Sequence, residues 1–387
     1  MEVLGSPLFV LAVLCFNIVI SEWLVRKTFL KHFGTALLVI VVTAVLANLR
    51  VIPSASNAPP LYDIIFSHIA PIAIFFLLLE VNLRNLKRAG LPMLIMFAIG
   101  AIGTMAGVYT GMWAVSGRES IGPFYNAIGG MFTGTYIGGS INFNAIALHY
   151  EVNKEGTLYA GAVAVDNIIT TAWMIVTIVL PKVLSKFYHL EPKTSQVTVT
   201  EEMMNKHNHD AETLSPLDLG IMIGLGLAAL LVSNLLSSLL SGVGITVPSI
   251  LILTTIALIF AQIPLFHRLK GGRVLGMFTV YLFLAVIGAY CEFAALAGIG
   301  SLGVTLLIFT TIVVLIHGAI TFGLGAVLKQ DWAVVSIASQ ANIGGSTSAL
   351  ALARSLDRQD LFLPAILVGA LGNAIGTYLG FLVARSL

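Results

Sequence analysis

Apolar residues run along this chain in blocks of roughly span length, parted by short polar stretches. In the first half they cover residues 7–25, 33–49, 64–83, 91–115, 124–149 and 157–180. In the second they cover 219–240, 245–263, 274–296, 302–328, 332–353 and 361–384. A helix of about 20 apolar residues crosses the hydrocarbon of a bilayer, so the pattern predicts an all-α polytopic membrane protein with six apolar segments in each half. The first block has no basic leader and is followed by eleven more, so it reads as a span rather than a cleaved signal. One long polar stretch, 182–216, separates the halves and contains "TVTEEMMNKHNHDAETLSP". We read it as a solvated linker, its "HNHD" included, rather than as a metal site.

The halves repeat each other. Ile137-Gly138-Gly139-Ser140 matches Ile343-Gly344-Gly345-Ser346 at an offset of 343 − 137 = 206 residues. The same ungapped register aligns Ala145 with Ala351, Ala147 with Ala353, Asn167 with Asn373, Ile169 with Ile375 and Thr171 with Thr377. The expected organisation is a first repeat over 1–181, the linker over 182–216 and a second repeat over 217–387.

Composition agrees with lipid as the solvent: 58% of residues are hydrophobic and 10% charged, against about 25% charged in a soluble domain. A net charge of +2 gives no reason to expect a nucleic-acid partner. Cys15 and Cys291 both sit in apolar runs, where a thiol behaves as a small hydrophobe. The basic residues inform topology instead. With all twelve segments crossing and the N-terminus outside, 9 of the 20 lysines and arginines lie inside, which is no bias. With the fifth and eleventh segments entering and leaving on one side, only Arg50, Arg118, Lys154 and Arg385 of the 20 lie outside. That arrangement gives five crossings and one re-entrant, or broken, hairpin per half. An odd number of crossings makes the second repeat inverted relative to the first, a signature of secondary transporters. It places the N-terminus outside and the linker in the cytoplasm, in a bacterial inner membrane.

The fifth and eleventh segments are those that carry the glycine pairs. Non-helical backbone at membrane depth survives only against protein or a water-filled cavity, and a glycine pair permits the turn. The helix that restarts after each turn presents free N–H groups and the positive end of its dipole, an anion site. Candidate substrate-binding residues are therefore Thr135, Gly138, Gly139, Ser140, Asn142 and Asn144 at the first turn, and Gln340, Asn342, Gly344, Gly345, Ser346, Thr347 and Ser348 at the second. Small residues alone would serve close packing, but packing does not require four amides. With one hairpin entering from each face, the tips should meet in a single polar chamber.

The doubled "IGGS" with its flanking amides, the late "LVGALGNAIGTYLG" and the span pattern resemble the domain-of-unknown-function-819 membrane protein family, over nearly the whole chain. That resemblance implies the superfamily of cation:proton antiporters and anion transporters. The architecture is also similar to the glutamate:sodium and citrate:sodium symporters, and it implies a transporter without naming a substrate.

Charge inside a membrane is costly and usually functional. Asp166, about ten residues into the sixth segment and followed by Asn167, aligns with Gly372-Asn373. One carboxylate with amide and hydroxyl oxygens suits a hard cation, so Asp166, Asn167, Asn373 and Thr377 are the ion-coupling candidates, with sodium expected at Asp166 and Asn373, or a proton in its place. Glu80, followed by Arg84, Lys87 and Arg88, reads as an interfacial ion pair, and Glu292 as lying toward the outer end of its span. His68 and His317 read as satisfied core histidines. No HExxH, GxSxG or paired midplane carboxylate is present, which argues against an enzyme. An inverted duplication also lacks the equivalent copies around an axis of a typical channel filter. The expectation is a secondary active transporter without a cofactor, moving a small organic anion or zwitterion with sodium. Segments one, two, seven and eight (7–50 and 217–264) would form a dimerising scaffold, and 63–181 with 273–385 the moving unit. Cation:proton antiport is the alternative.

Overall fold

The computed structural model describes residues 6–28, 34–81, 83, 86–187, 215–266, 269–291 and 299–387. No strand occurs among the described residues. The first half folds as α1 (Pro7–Lys27), α2 (Gly34–Asn48), α3 (Pro60–Leu79), α4 (Leu91–Ala114), α5 (Tyr125–Gly138), α6 (Ser140–His149) and α7 (Gly156–Phe187). The second folds as α8 (Pro216–Gly242), α9 (Ser249–Ala261), α10 (Gly272–Tyr290), α11 (Ile299–Val327), α12 (Trp332–Ser355) and α13 (Phe362–Ser386). Among the described residues, α1, α3, α4, α7, α8, α10, α11 and α13 are the 8 helices long and apolar enough to cross a membrane. The sequence windows and the helices coincide closely because lipid enforces the same condition on every span: backbone polar groups must be satisfied within it.

Local signals place the ends. α1 and α8 both open on Ser-Pro: proline fits the first helical position, where its missing N–H costs nothing. The preceding serine hydroxyl accepts a free backbone N–H, from Phe9 at 3.3 Å and from Asp218 at 3.0 Å. α7 continues through Pro181 to Phe187, into the first residues of the stretch read from sequence as linker. A proline removes a single helical hydrogen bond, and the helix formers Leu184 and Lys186 lie beyond it. The rest of the linker, "HNHD" included, lies outside the described residues, as do Arg84 and Glu292.

The halves pack by exchange. α2 lies against α10 of the other half, and α9 against α3. At each crossing an amide satisfies backbone left open where a helix ends: Asn48 Nδ2 donates to the Cys291 carbonyl (2.8 Å), while Gln262 donates to the Val81 carbonyl (2.9 Å) and accepts from the Leu83 N–H (3.0 Å). At the centre α4 and α11 are in backbone contact. Gly103, Gly107 and Gly111 face His317, Val313 and Phe309, and a Cβ at Gly107 would stand 2.6 Å from the Val313 carbonyl oxygen. His68 departs from expectation: it is exposed, in a π-helical turn (Ile65–Ile69), with its Nδ1 2.6 Å from the Ser67 hydroxyl. Glu80, also exposed, closes α3 beside Gly272 of α10.

Candidate functional site

Two glycines 206 residues apart break two helices with nearly the same backbone. Gly139, between α5 and α6, has φ 95° and ψ 177°; Gly345, inside α12, has φ 74° and ψ −171°. This region of backbone space is open essentially to glycine alone. A second arm follows each break, α6 in one case and residues 346–355 in the other.

The two tips meet. The position a Cβ would take at Gly345 lies 4.0 Å from the Gly138 carbonyl oxygen, and that at Gly139 lies 3.7 Å from Asn373 Oδ1. α13 runs behind both, with Gly369 against Ser346 and, one turn on, Gly372 against Ile137 and Gly138. A Cβ at Gly372 would stand 2.9 Å from the Gly138 Cα, so the absence of side chains is what lets α13 touch the first tip. Ser140 and Thr347 are exposed and Gly139, Gly344, Ser346, Ser348, Asn373 and Asn167 are half-buried. The rim of the meeting point is therefore open although the arms leading to it are buried.

The amides are used unequally. In the first hairpin Asn142 Oδ1 accepts from the Thr377 hydroxyl of α13 at 2.7 Å, and Asn144 accepts from the Tyr159 hydroxyl of α7. Thr135 is buried, its carbonyl accepting from the Gly139 N–H at 2.7 Å. In the second hairpin Gln340 Oε1 accepts from Thr177 at 3.1 Å and Asn342 Nδ2 donates to the Phe97 carbonyl at 3.1 Å. Yet Gln340 Nε2 and Asn342 Oδ1, both in fully buried side chains, have no protein partner. Ser348 donates only to the Gly345 carbonyl of its own turn, at 3.1 Å.

Asp166 lies on α7 with its Oδ1 buried and unpartnered. Tyr136 and Tyr159 are its titratable neighbours. The Tyr136 hydroxyl, one helical turn before the first tip, lies against that carboxylate. Among the described residues Asp166 is the carboxylate set inside a span away from its ends. Of the ion-coupling candidates, the structure brings Asn373 to the first tip and commits the Thr377 hydroxyl to Asn142.

His317 is the satisfied core histidine that the sequence suggested, but the groups it ties together were not legible there. His317, fully buried on α11, has Nδ1 2.9 Å from the Gly100 carbonyl and 3.0 Å from the Thr104 hydroxyl, with Nε2 2.8 Å from the Ser339 hydroxyl. A carbonyl can only accept, so Nδ1 carries the proton. In the neutral ring Nε2 then accepts from the Ser339 hydroxyl, which also accepts from the Trp173 indole at 3.0 Å. Thr104 in turn donates to the Tyr136 carbonyl at 3.0 Å. A neutral histidine thus joins the two hairpins through α4, α7 and α11. The signal available in sequence was Tyr136 itself, the register mate of Asn342 (342 − 136 = 206). Where the second hairpin begins and ends, Arg358 binds Asp360 with two nitrogens (both 2.8 Å) and Asp331, the N-cap of α12, with a third. Hydrogen bonds to the two carboxylates, Asp360 foremost, hold its guanidinium well above the usual arginine range.

A chain with these apolar spans and broken helices, and no strand among its described residues, is an integral membrane protein. A family model described as "Protein of unknown function (DUF819)" matches residues 9–387, and the chain belongs to that family. It is also similar to "Uncharacterized membrane protein YjcL" of Bacillus subtilis (strain 168), at 29% identity over 349 residues, covering 87% of this chain and 85% of that protein.

Proposed function

We propose that this protein is a secondary active transporter for a small organic anion or zwitterion, a carboxylate or amino-acid-like molecule, coupled to sodium. The observation that carries the reading is the meeting of two glycine-broken hairpins at one polar point, 4.0 Å apart by the measure above, with a buried, unpartnered carboxylate oxygen on a neighbouring helix. The restarted arms aim N–H groups and positive dipole ends at that point, which suits an anionic group. Asp166 and nearby amide oxygens suit the cation. Five crossings and one re-entrant hairpin per half, with the second half inverted, would bring one tip from each face. α1, α2, α8 and α9 form the scaffold, through which two copies associate, and the remaining helices move against it in an elevator cycle. The N-terminus is outside.

Cation:proton antiport is the second reading, favoured by the fact that Asp166 is the carboxylate placed deep within a span. Uptake by the purified protein in proteoliposomes, with imposed sodium and pH gradients and substrates first found by thermal shift, tests both. Saturable uptake driven by a sodium gradient supports the symporter. Sodium or potassium flux driven by pH without substrate supports the antiporter, and neither flux with any candidate rejects transport.

A further inference from the structure

The 206-residue register pairs two helix seams that ought to look alike and do not. On one, α5 presents Gly130, Gly134 and Gly138 to Gly372, Gly376 and Gly380 of α13. A Cβ at Gly130 would stand 2.8 Å from the Gly380 carbonyl, one at Gly376 2.9 Å from the Gly134 carbonyl, and one at Gly380 2.7 Å from the Gly130 carbonyl. Backbone meets backbone along the whole seam, which leaves no room for water. On the other seam α7 meets the first arm of α12, joined by Trp173 to Ser339 and Thr177 to Gln340. Its register mates are Ser336, Gln340 and Gly344 on α12, and Asp166, Thr170 and Met174 on α7. Polar side chains replace glycine at four of the six positions.

Three of those four carry a buried atom with no protein partner: Ser336 Oγ, Gln340 Nε2 and Asp166 Oδ1. Ser336 and Gln340 side chains are fully buried. They stand one turn apart, and Gln340 Nε2 points on toward Gly344, 2.5 Å from where a Cβ of that glycine would be. Buried polar atoms are nearly always partnered, by protein or by ordered water. A single exception can be local; three in register along one seam define a track.

We propose that the α7–α12 seam is a hydrated path by which a small cation, sodium or proton, reaches Asp166 from the membrane face where α12 begins, while the α5–α13 seam is the dry seal on the opposite side. This rests on the transporter reading, but its test does not need transport. In full-length protein reconstituted into vesicles, with Cys15 and Cys291 replaced, single cysteines are introduced as Ser336→Cys, Thr170→Cys and Ala384→Cys. Ala384 is buried, next to Gly130 on the glycine seam. Ile175→Cys serves as the reference, since Ile175 is 61% exposed on the outer surface of α7. The probe is a charged, membrane-impermeant methanethiosulfonate, applied to each face in turn.

A thiol reacts as the thiolate, which needs water to form, so Ser336→Cys and Thr170→Cys should react at least about tenfold faster than Ile175→Cys, from the face carrying Asp331 and Arg358. Ala384→Cys should stay unreactive from the other face. Rates for both seam thiols no faster than the reference, or rapid reaction of Ala384→Cys, overturn the inference. Proton against sodium is decided by labelling Ser336→Cys at rising sodium and at falling pH: the ion that enters slows the reaction by occupying the path. If neither does so, the path carries no cation and the proposal fails. Slow labelling with gradient-driven uptake intact rejects the path alone; fast labelling without uptake rejects the transporter.

Discussion

Gly376→Ala tests whether the first hairpin is fastened to α13 as described. The new Cβ would stand 2.4 Å from the Asn142 Nδ2 and 2.9 Å from the Gly134 carbonyl oxygen, where ordinary contact begins at about 3.4 Å. Relief by movement of α13 alone requires it to withdraw by 3.4 − 2.4, or about 1.0 Å, along that line. The same withdrawal lengthens the Thr377–Asn142 hydrogen bond from 2.7 Å to about 3.7 Å, beyond the limit at which such a bond retains strength. Overpacking typically costs about 1–3 kcal/mol, and a lost buried hydrogen bond adds up to about 1 kcal/mol. Thermal unfolding of the detergent-solubilised protein, followed by tryptophan fluorescence, should therefore show a clear fall in midpoint. The control is built into the repeat. Ser348 occupies the position equivalent to Asn142 (348 − 142 = 206), so Asn142→Ser removes the colliding amide and keeps a small polar side chain. The double variant should recover at least about 0.5 kcal/mol relative to the sum of the singles, the coupling expected of residues in contact. A silent Gly376→Ala, or strictly additive singles, would refute the contact.

Gly345→Ala should act differently: with its nearest neighbour at 4.0 Å, its cost is backbone strain of about 1–3 kcal/mol, with the α13 contacts kept, and loss of the Gly376–Asn142 coupling when the same cycle is run in the Gly345→Ala protein would contradict this. Arg358→Gln leaves two carboxylates without their shared cation and should cost about 3 kcal/mol by thermal unfolding; Arg358→Lys should restore little of it, because one ammonium cannot reproduce the forked contact, and full rescue by lysine would disprove the bidentate geometry. His317→Leu removes the ring's buried hydrogen bonds to Gly100, Thr104 and Ser339, at about 0.5–1.5 kcal/mol each, and stability within error of wild type would show that the bridge does not hold the hairpins. Asp166→Asn keeps shape and one carbonyl oxygen, so the protein should fold while gradient-driven uptake loses its ion dependence; uptake with unchanged sodium or proton coupling would place the ion elsewhere.

The spans were legible because lipid imposes a local rule: each must be about 20 apolar residues, whatever it later packs against. The two breaks were legible for a related reason, since a glycine pair at membrane depth signals a conformation other residues reject, and its recurrence at 206 residues made the pair hard to mistake. How the site shares its polar groups was not legible. Asn142 and Gln340 read alike in sequence, yet Asn142 is bound to Thr377, 235 residues away, while Gln340 keeps a free amide nitrogen. Thr377 read as an ion ligand, and only the crossing of α13 with the first hairpin shows that its hydroxyl proton goes to Asn142. Hydrogen-bond capacity belongs to a residue type and is written in the chain; whether that capacity is used depends on which helices cross it. Here the crossing is decided by glycines on α5 and α13, whose missing side chains let two backbones touch and seal one seam, while serine, glutamine and aspartate in the same register hold the other apart.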